Sequence, residues 1–345
     1  AIGGAGMMWT ESTGVSAPGR ISPGCTGIYN DEHVAAWKRI VDFVHANSAT
    51  VFGMQISHAG RKSATCIPWE GGYDQPLPAD QAWPIVAASA IPYLANSQVP
   101  KEINRAEMDV VRDDFVQAAK NADTAGFDMV EVHMAHGYLL GTFISPVTNV
   151  RSDEYGGDLV ARMKYPLEVL DAVRAVWPKA KPLSVRISAM DWVEGGLNGD
   201  DAVEIARMLK DHGVDVVDVS TGQTTTDEDI EFGRMFQTPY AERIRIEAGI
   251  PTIAVGAITS GDQVNTIVAA GRSDFCALAR PHLAQPYQTL HDAAHYGFAD
   301  QPWPVQYMGG KGQLAGLSAK DNLEQAELRD AAKPPRPEDL LTAAE

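Results

Sequence analysis

The feature that most constrains the fold is a regular repeat in which a short apolar strand is followed by a loop and a helical segment. Apolar runs and period-2 alternation predict strands over 7–12, 50–58, the start of 128–138, 183–189, 215–221, 251–258 and 274–279. Helical patterns lie at 31–47, 104–126, 159–178, 198–212, 238–248, 260–270 and 285–296. Strands that alternate with helices form parallel sheets covered on both faces, so the fold class is α/β.

Two α/β architectures contain such a repeat. A doubly wound sheet usually carries a glycine fingerprint directly after its first strand, whereas Gly3-Gly4-Ala5-Gly6 precedes the strand here. A (β/α)₈ TIM barrel needs eight strands. Because about seven are counted and the chain starts on a strand without a methionine, we expect a TIM barrel that lacks its first βα unit and lies within a longer protein.

The repeat stops near residue 300, which sets the expected domain division. Residues 1–307 form the barrel, and 303–307 are a segment laid over it. Residues 308–345 are a C-terminal extension, with a helix over 311–332 and a proline-rich linker or tail from Lys333 to Pro337.

Charge and cysteine content exclude several classes of function. The formal net charge of −17 disfavours nucleic acid and anionic membrane surfaces, because both need a basic footprint. No apolar run is long enough to span a bilayer. Three scattered cysteines suit a reducing compartment and cannot ligate an iron–sulfur cluster. We therefore expect a cytoplasmic protein; its oligomeric state, a homo-oligomer included, stays open.

The stretch 128–138, Asp-Met-Val-Glu-Val-His-Met-Ala-His-Gly-Tyr, begins as a strand and ends in polar side chains. Ligands of parallel α/β folds bind at this end of the strands. A lone histidine is more often a core or surface residue, but His133 and His136 occur together with Tyr138. No zinc-helix spacing is present, so two imidazoles that hold a carbonyl oxygen, with Tyr138 as proton donor, are the better interpretation.

Three further polar residues lie in or after predicted strands. Arg186 is in a strand interior, where it needs an anion, an electron-rich ring or an internal ion pair with Glu131 or Asp218. Gln55 is a buried amide in another strand. Arg280 follows the last strand, where barrels commonly bind phosphate, although a surface arginine at a helix start explains it equally well.

Seven stretches in matching order resemble the old yellow enzyme family of FMN-dependent ene-reductases, in particular its YqjM-like branch, over about residues 1–307. They include Gln-Ile-Ser-His-Ala-Gly-Arg-Lys and His-Met-Ala-His-Gly-Tyr-Leu, and they lie at 10–14, 55–62, 133–139, 145–157, 185–188, 255–259 and 278–280. The family's first strand, which carries flavin contacts, has no counterpart before residue 7.

The resemblance implies a role for each matching residue. Gln55 contacts the flavin pyrimidine edge, Arg186 lies at flavin N1 and O2, and Ser12 lies near the isoalloxazine. His133 and His136 bind the substrate's carbonyl oxygen, and Tyr138 donates the proton. Three residues at the last two strand ends are expected to hold the FMN phosphate: Gly256, Ala279 (usually glycine in the family) and Arg280.

The implied reaction is NAD(P)H-driven reduction of an activated alkene by hydride from FMN. The chain also resembles the reductase half of fused flavoproteins of the 2-aminobenzoyl-CoA monooxygenase/reductase and salicylyl-CoA 5-hydroxylase type, whose substrate is a CoA thioester of a dearomatised ring. For such a ligand, Arg61, Lys62 and Arg151 would give local positive charge. The alternative from another class is a catalytically silent barrel that serves as a structural domain of a larger protein.

Overall fold

The strands of the computed structural model, which describes residues 1–333, follow the predicted repeat. They are β1 Met7–Trp9, β2 Thr13–Gly14, β3 Val51–Ser57, β4 Val86–Ala87, β5 Lys101–Glu102, β6 Met129–Met134, β7 Leu183–Ser188, β8 Val216–Ser220, β9 Thr252–Ala254 and β10 Phe275–Cys276. The helices are α1 Asp31–Asn47, α2 Pro68–Gly71, α3 Arg105–Ala125, α4 Leu139–Ile144, α5 Leu159–Val176, α6 Gly199–Asp211, α7 Thr238–Glu247, α8 Gly261–Ala269, α9 Arg280–Ala284, α10 Gln288–His295 and α11 Met308–Ala331.

Seven strands form one parallel path in the order β1-β3-β6-β7-β8-β9-β10, and β2 pairs with β3. The path curls into an α/β half-barrel with helices outside it, which confirms the predicted TIM-barrel type of fold with seven strands in the path. Within residues 1–333 no backbone pairing joins β10 to β1. The segment before β1 instead contacts the end of the repeat, where the Gln301 side-chain amide donates to the Gly4 carbonyl at 3.0 Å.

Helix α3 shows how the sequence sets these elements. Asn104 and Glu107 form a capping box at its start, and Gly126 ends it in a left-handed conformation with a φ of 95°. Met108 and Phe115 on its inner face are fully buried. Truncation of such an aromatic core residue to alanine costs about 3–5 kcal/mol. The helix therefore fixes the position of β6, which follows it and is buried along its whole length.

Some boundaries differ from the predictions. The first strand ends at Trp9 rather than residue 12. The helix predicted over 285–296 begins only at Gln288, as α10, and the short helix α9 before it was not predicted. Pro286 lies in the break, where its ring disfavours helical backbone at Gln285.

The C-terminal helix α11 lies against α10, and the Asn322 side chain donates to the His295 carbonyl at 3.0 Å. The separate extension over 308–345 stays a prediction, and the proline-rich tail lies outside the described residues apart from Lys333. None of the helices in residues 1–333 has the length and apolarity needed to cross a bilayer.

Candidate active site

The polar strand residues lie side by side across the sheet. Gln55 is in register with Glu131 between β3 and β6, and His133 is in register with Arg186 between β6 and β7. Arg186 is in turn in register with Asp218 on β8. In-register residues on parallel strands share one face, so these side chains share the inner face of the half-barrel.

His133 and His136 form a direct pair at the end of β6. His133 Nε2 and His136 Nδ1 are 3.1 Å apart; His133 is buried and His136 is half-buried. The backbone N–H of Ala135 donates to His133 Nδ1 at 3.2 Å. His136 Nε2 is 2.8 Å from the Ser220 hydroxyl at the end of β8.

These contacts determine which ring nitrogen of each histidine carries the proton when no substrate is bound. Because His133 Nδ1 accepts from a backbone N–H, the proton of the neutral ring is on Nε2, which donates to His136 Nδ1. His136 then carries its proton on Nε2 and donates to Ser220. Burial, followed by the nearby Arg186 charge, lowers the pKa of both histidines well below the usual value, so both rings are neutral at pH 7.

Tyr138 completes this cluster. Its ring centroid is 4.7 Å from that of His133, and burial raises the pKa of the phenol. The hydroxyl is therefore a protonated donor at neutral pH. The structure brings together all three side chains predicted to bind and protonate a substrate.

Arg186 and the two nearby carboxylates form a buried charged layer. Arg186 Nε is 3.4 Å from Asp218 Oδ2, so the predicted internal ion pair is made with Asp218, while the side chain stays 24 % exposed. Glu131 accepts from the Gln55 amide at 2.8 Å and from the Ser184 hydroxyl at 2.7 Å. Burial, followed by repulsion from Asp218, raises the pKa of Glu131.

The three cations expected to offer local positive charge are engaged elsewhere. Arg61 and Lys62 are only 3 % exposed and donate to backbone carbonyls. Arg151 is paired with Asp153 and donates to two further carbonyls. Each of these side chains holds loops together, and their contribution of positive charge to a ligand site stays a prediction.

The predicted phosphate residues lie at the ends of β9 and β10, which are neighbours in the sheet. Gly256 has a φ of 105°, and a Cβ there would overlap the Gln237 side-chain amide. Ala279 caps α9, and Arg280 begins it with an exposed side chain. Residues 1–333 provide no ion-pair partner for Arg280, and no hydrogen bond between them joins Ser12 or the phosphate residues to the histidine cluster.

This arrangement fits FMN. The Gly256 turn and the exposed Arg280 follow neighbouring strands, and a guanidinium without an ion-pair partner among residues 1–333 suits a phosphate. Arg186 Nε is buried and, although 3.4 Å from Asp218 Oδ2, makes no hydrogen bond within residues 1–333.

Sequence reasoning missed Ser220 and the position of Lys62. Ser220 ends an apolar strand, and its neighbour Thr221 offers the same type of side chain, so nothing in the pattern distinguished it. Lys62 looks like a surface residue of a polar loop. It becomes part of the site only because its loop packs against the turn after β6, where its ammonium donates to the His136 carbonyl.

The half-barrel with a polar cluster at its strand ends is typical of an α/β-barrel enzyme with a cofactor. Residues 1–300 match the NADH:flavin oxidoreductase / NADH oxidase family. The chain therefore belongs to this family, that of the old yellow enzymes, whose members use FMN with NADPH as reductant.

Curated relatives agree with this assignment. The chain is 42 % identical over 310 residues to an NADPH dehydrogenase of Geobacillus thermodenitrificans, covering 90 % of this chain and 85 % of the relative. It is 41 % identical over 307 residues to an NADPH dehydrogenase of Listeria innocua, covering 89 % and 85 %.

Solved structures confirm the TIM-barrel type of fold. Morphinone reductase is 26 % identical with a TM-score of 0.68, over 83 % of this chain and 76 % of that one. A 2-naphthoyl-CoA reductase in complex with 2-naphthoyl-CoA has a TM-score of 0.72 at 23 % identity. That match covers 83 % of this chain but only 44 % of the reductase chain, and it shows the fold alone.

Proposed function

We propose that this chain uses NAD(P)H to reduce the C=C bond of an activated alkene, such as an enone. The observation that carries the proposal is the neutral pair of His133 and His136 beside Tyr138. Both N–H groups donate within the cluster in the structure, so a carbonyl oxygen would replace the His133–His136 hydrogen bond and accept from the two rings. Neutral imidazole donors bind such an oxygen without placing a full positive charge in the site. Polarisation of that carbonyl makes the β-carbon of a conjugated alkene electrophilic.

FMN, when bound, supplies the hydride chemistry between NAD(P)H and the alkene carbon. Gly256, Ala279 and Arg280 would hold its phosphate, and Ser12 would lie beside its ring system. Gln55 would bind the polar edge of the ring, since Glu131 already orients the Gln55 amide. Arg186 would place a positive charge next to that edge, where negative charge develops on reduction.

Tyr138 would protonate the α-carbon. Its raised pKa keeps the proton on the phenol until the alkene accepts hydride and a basic carbon develops.

We further propose that the chain belongs to the YqjM-like branch, which the 42 % and 41 % identical NADPH dehydrogenases support. The fused CoA-thioester reductase is the second candidate. One of the solved neighbours is a complex with an aromatic CoA thioester, although at 23 % identity. The engagement of Arg61, Lys62 and Arg151 in loop contacts favours a small enone over a CoA ligand.

The test is visible spectroscopy of the purified chain titrated with FMN in the absence of oxygen. We expect a bound-flavin band that bleaches with NADPH and recovers on addition of 2-cyclohexenone. The matched control is Lys210→Met, a lysine of α6 whose side chain donates to carbonyls before β9, far along the chain from the cluster. Bound FMN that NADPH reduces but no enone reoxidises would contradict the proposed alkene reduction. No binding of FMN would support the silent-barrel alternative.

A further inference from the structure

Two residues at the site adopt a backbone conformation that side chains other than glycine rarely take. His136 has a φ of 59° and Gln223 a φ of 60°. Such left-handed backbone is strained for residues other than glycine and persists only where surrounding contacts hold it. Gly137, which follows His136 in the turn after β6, packs so closely against the turn after β8 that a Cβ would lie 3.0 Å from the Gln223 carbonyl oxygen. The turn after β6 and the turn after β8 therefore constrain each other.

One buried cation joins these two turns. Lys62 Nζ donates to the His136 carbonyl at 3.2 Å and to the Gln223 carbonyl at 3.0 Å, the carbonyls of the two left-handed residues. The ammonium also lies 4.0 Å from the centre of the Tyr93 ring and 5.7 Å from that of Tyr138. No carboxylate of residues 1–333 forms an ion pair with it, so its charge is used on backbone carbonyls and aromatic faces.

The adjacent Arg61 strengthens the same junction. Its guanidinium donates to the Thr224 carbonyl, one residue beyond Gln223, and to the Ile91 and Pro92 carbonyls of the loop between β4 and β5. The loop after β3 therefore donates hydrogen bonds to both the turn after β6 and the turn after β8.

We infer that Lys62 is a positioning residue that holds His136 and Gln223 in their left-handed conformations and so aims the His133–His136 pair at the substrate oxygen. This inference rests on the proposed function. The His136 imidazole is 3.1 Å from that of His133 and 2.8 Å from the Ser220 hydroxyl, so its direction follows from its backbone. Without the ammonium the turn can relax to ordinary backbone angles, which would rotate the imidazole away from both partners.

The charge of Lys62 makes this role pH-dependent. Burial lowers the pKa of Lys62 to about 8; the carboxylates of Asp74 and Glu228 oppose the shift and Arg61 adds to it. Tyr93, Tyr138 and the neutral histidines are the other titratable groups facing it. An uncharged amine donates weakly to carbonyls, so the grip weakens as pH rises through about 8.

The test uses the FMN-loaded full chain, with Lys62→Met to remove the charge and Lys62→Arg to keep it. Lys210→Met is the matched control, because Lys210 also donates to two backbone carbonyls, one of them of the left-handed Gly249, at the opposite ends of the strands. Steady-state kinetics with 2-cyclohexenone are combined with ¹⁵N spectra of selectively labelled histidine, which report the two imidazoles directly.

We expect Lys62→Met to lower kcat/KM about 10- to 100-fold, as misplacement of a binding group does, with FMN affinity unchanged. The signals of His133 and His136 should shift in Lys62→Met and stay unchanged in Lys210→Met. Lys62→Arg should restore most activity and move the alkaline loss to higher pH. If Lys62→Met does not fold, the wild-type spectra between pH 7 and 9.5 decide, since the same signals should shift there.

Histidine signals that are identical in wild type and Lys62→Met, or wild-type signals that stay constant through pH 9.5, would overturn the inference. A wild-type chain that reduces no enone would instead refute the proposed function. The histidine spectra would still decide whether Lys62 positions the pair.

Discussion

The two sides of the half-barrel differ in how many of their polar groups already have partners within the protein. On the β6–β8 side, His133, His136 and Ser220 are connected by direct hydrogen bonds. On the β9–β10 side, Gly256 has a positive φ and Arg280 is exposed. The first side has its contacts already made, while Arg280 on the second side has no ion-pair partner among residues 1–333.

We interpret this difference as a division of tasks, in which the β6–β8 side serves the reaction and the β9–β10 side binds the cofactor. Groups that must meet a developing charge gain from being fixed in advance, because no reorganisation is then needed during the reaction. Groups that bind a phosphate need only be free when it arrives. Substitutions on the β6–β8 side should therefore change turnover, and those on the β9–β10 side should change FMN affinity.

His136→Ala should produce the largest effect. Loss of one preorganised donor costs about 10²- to 10³-fold in rate, and we expect kcat/KM for 2-cyclohexenone to fall by that amount. The affinity for FMN, measured by fluorescence titration, should change less than about twofold on the same argument. A variant that loses FMN rather than turnover would break the division between the two sides.

Arg280→Ala should give the opposite result. Loss of a charge-assisted bond, worth about 1.5–3 kcal/mol, should raise the Kd for FMN about 10- to 100-fold, while kcat at saturating FMN is retained. Arg272→Ala is the control, because Arg272 precedes β10 at the other end of the strand and pairs with Glu242. Equal FMN affinities in the two variants would remove Arg280 from the phosphate site.

Ser220→Ala should have a smaller effect on the β6–β8 side. When a substrate oxygen accepts from both imidazoles, His136 must carry its proton on Nδ1, and the Ser220 hydroxyl must then donate to Nε2. Loss of this partner should lower kcat/KM by about 2- to 13-fold, the value of one neutral hydrogen bond. Ser220→Thr, which keeps the hydroxyl, should retain activity in the same assay.

Glu131→Gln should leave turnover nearly intact and change the pH dependence of stability. Burial raises the pKa of Glu131 from 4.5 to about 7 in the folded state, so stability is lost as pH rises between these two values and the loss is complete above the folded pKa. The amide should therefore raise the melting temperature at pH 8 relative to wild type and not at pH 4.5. Equal differences at both pH values would show that Glu131 is not a buried titrating group.

Much of the fold could be predicted because strand–helix alternation is local. Helix α1 begins and ends at the predicted residues 31 and 47, with Asn30 as N-cap. The repeat also placed His133, Arg186 and Gln55 on three of the predicted strands, which the sheet brings together on one face. Boundaries failed where a single residue overrides periodicity, as Pro286 does between α9 and α10.

The contacts between loops could not be predicted. Lys62 and Ser220 are 158 residues apart in sequence, and only the folded sheet places both beside His136. The left-handed angles of His136 and Gln223 likewise leave no mark in the sequence. Sequence periodicity describes what each strand presents, but not which loop carbonyl a distant cation will bind.

The central claim is that the prepared β6–β8 side recognises the carbonyl oxygen of an activated alkene. The most direct test reduces the FMN-loaded chain with NADPH without oxygen and follows flavin reoxidation by 2-cyclohexenone and by cyclohexene, which lacks the oxygen. The account predicts reoxidation by the enone and none by cyclohexene, and a fall of at least about 100-fold in the enone rate in the His133→Ala/His136→Ala double variant. Equal rates with the two alkenes, or an enone rate that the double substitution leaves unchanged, would contradict it.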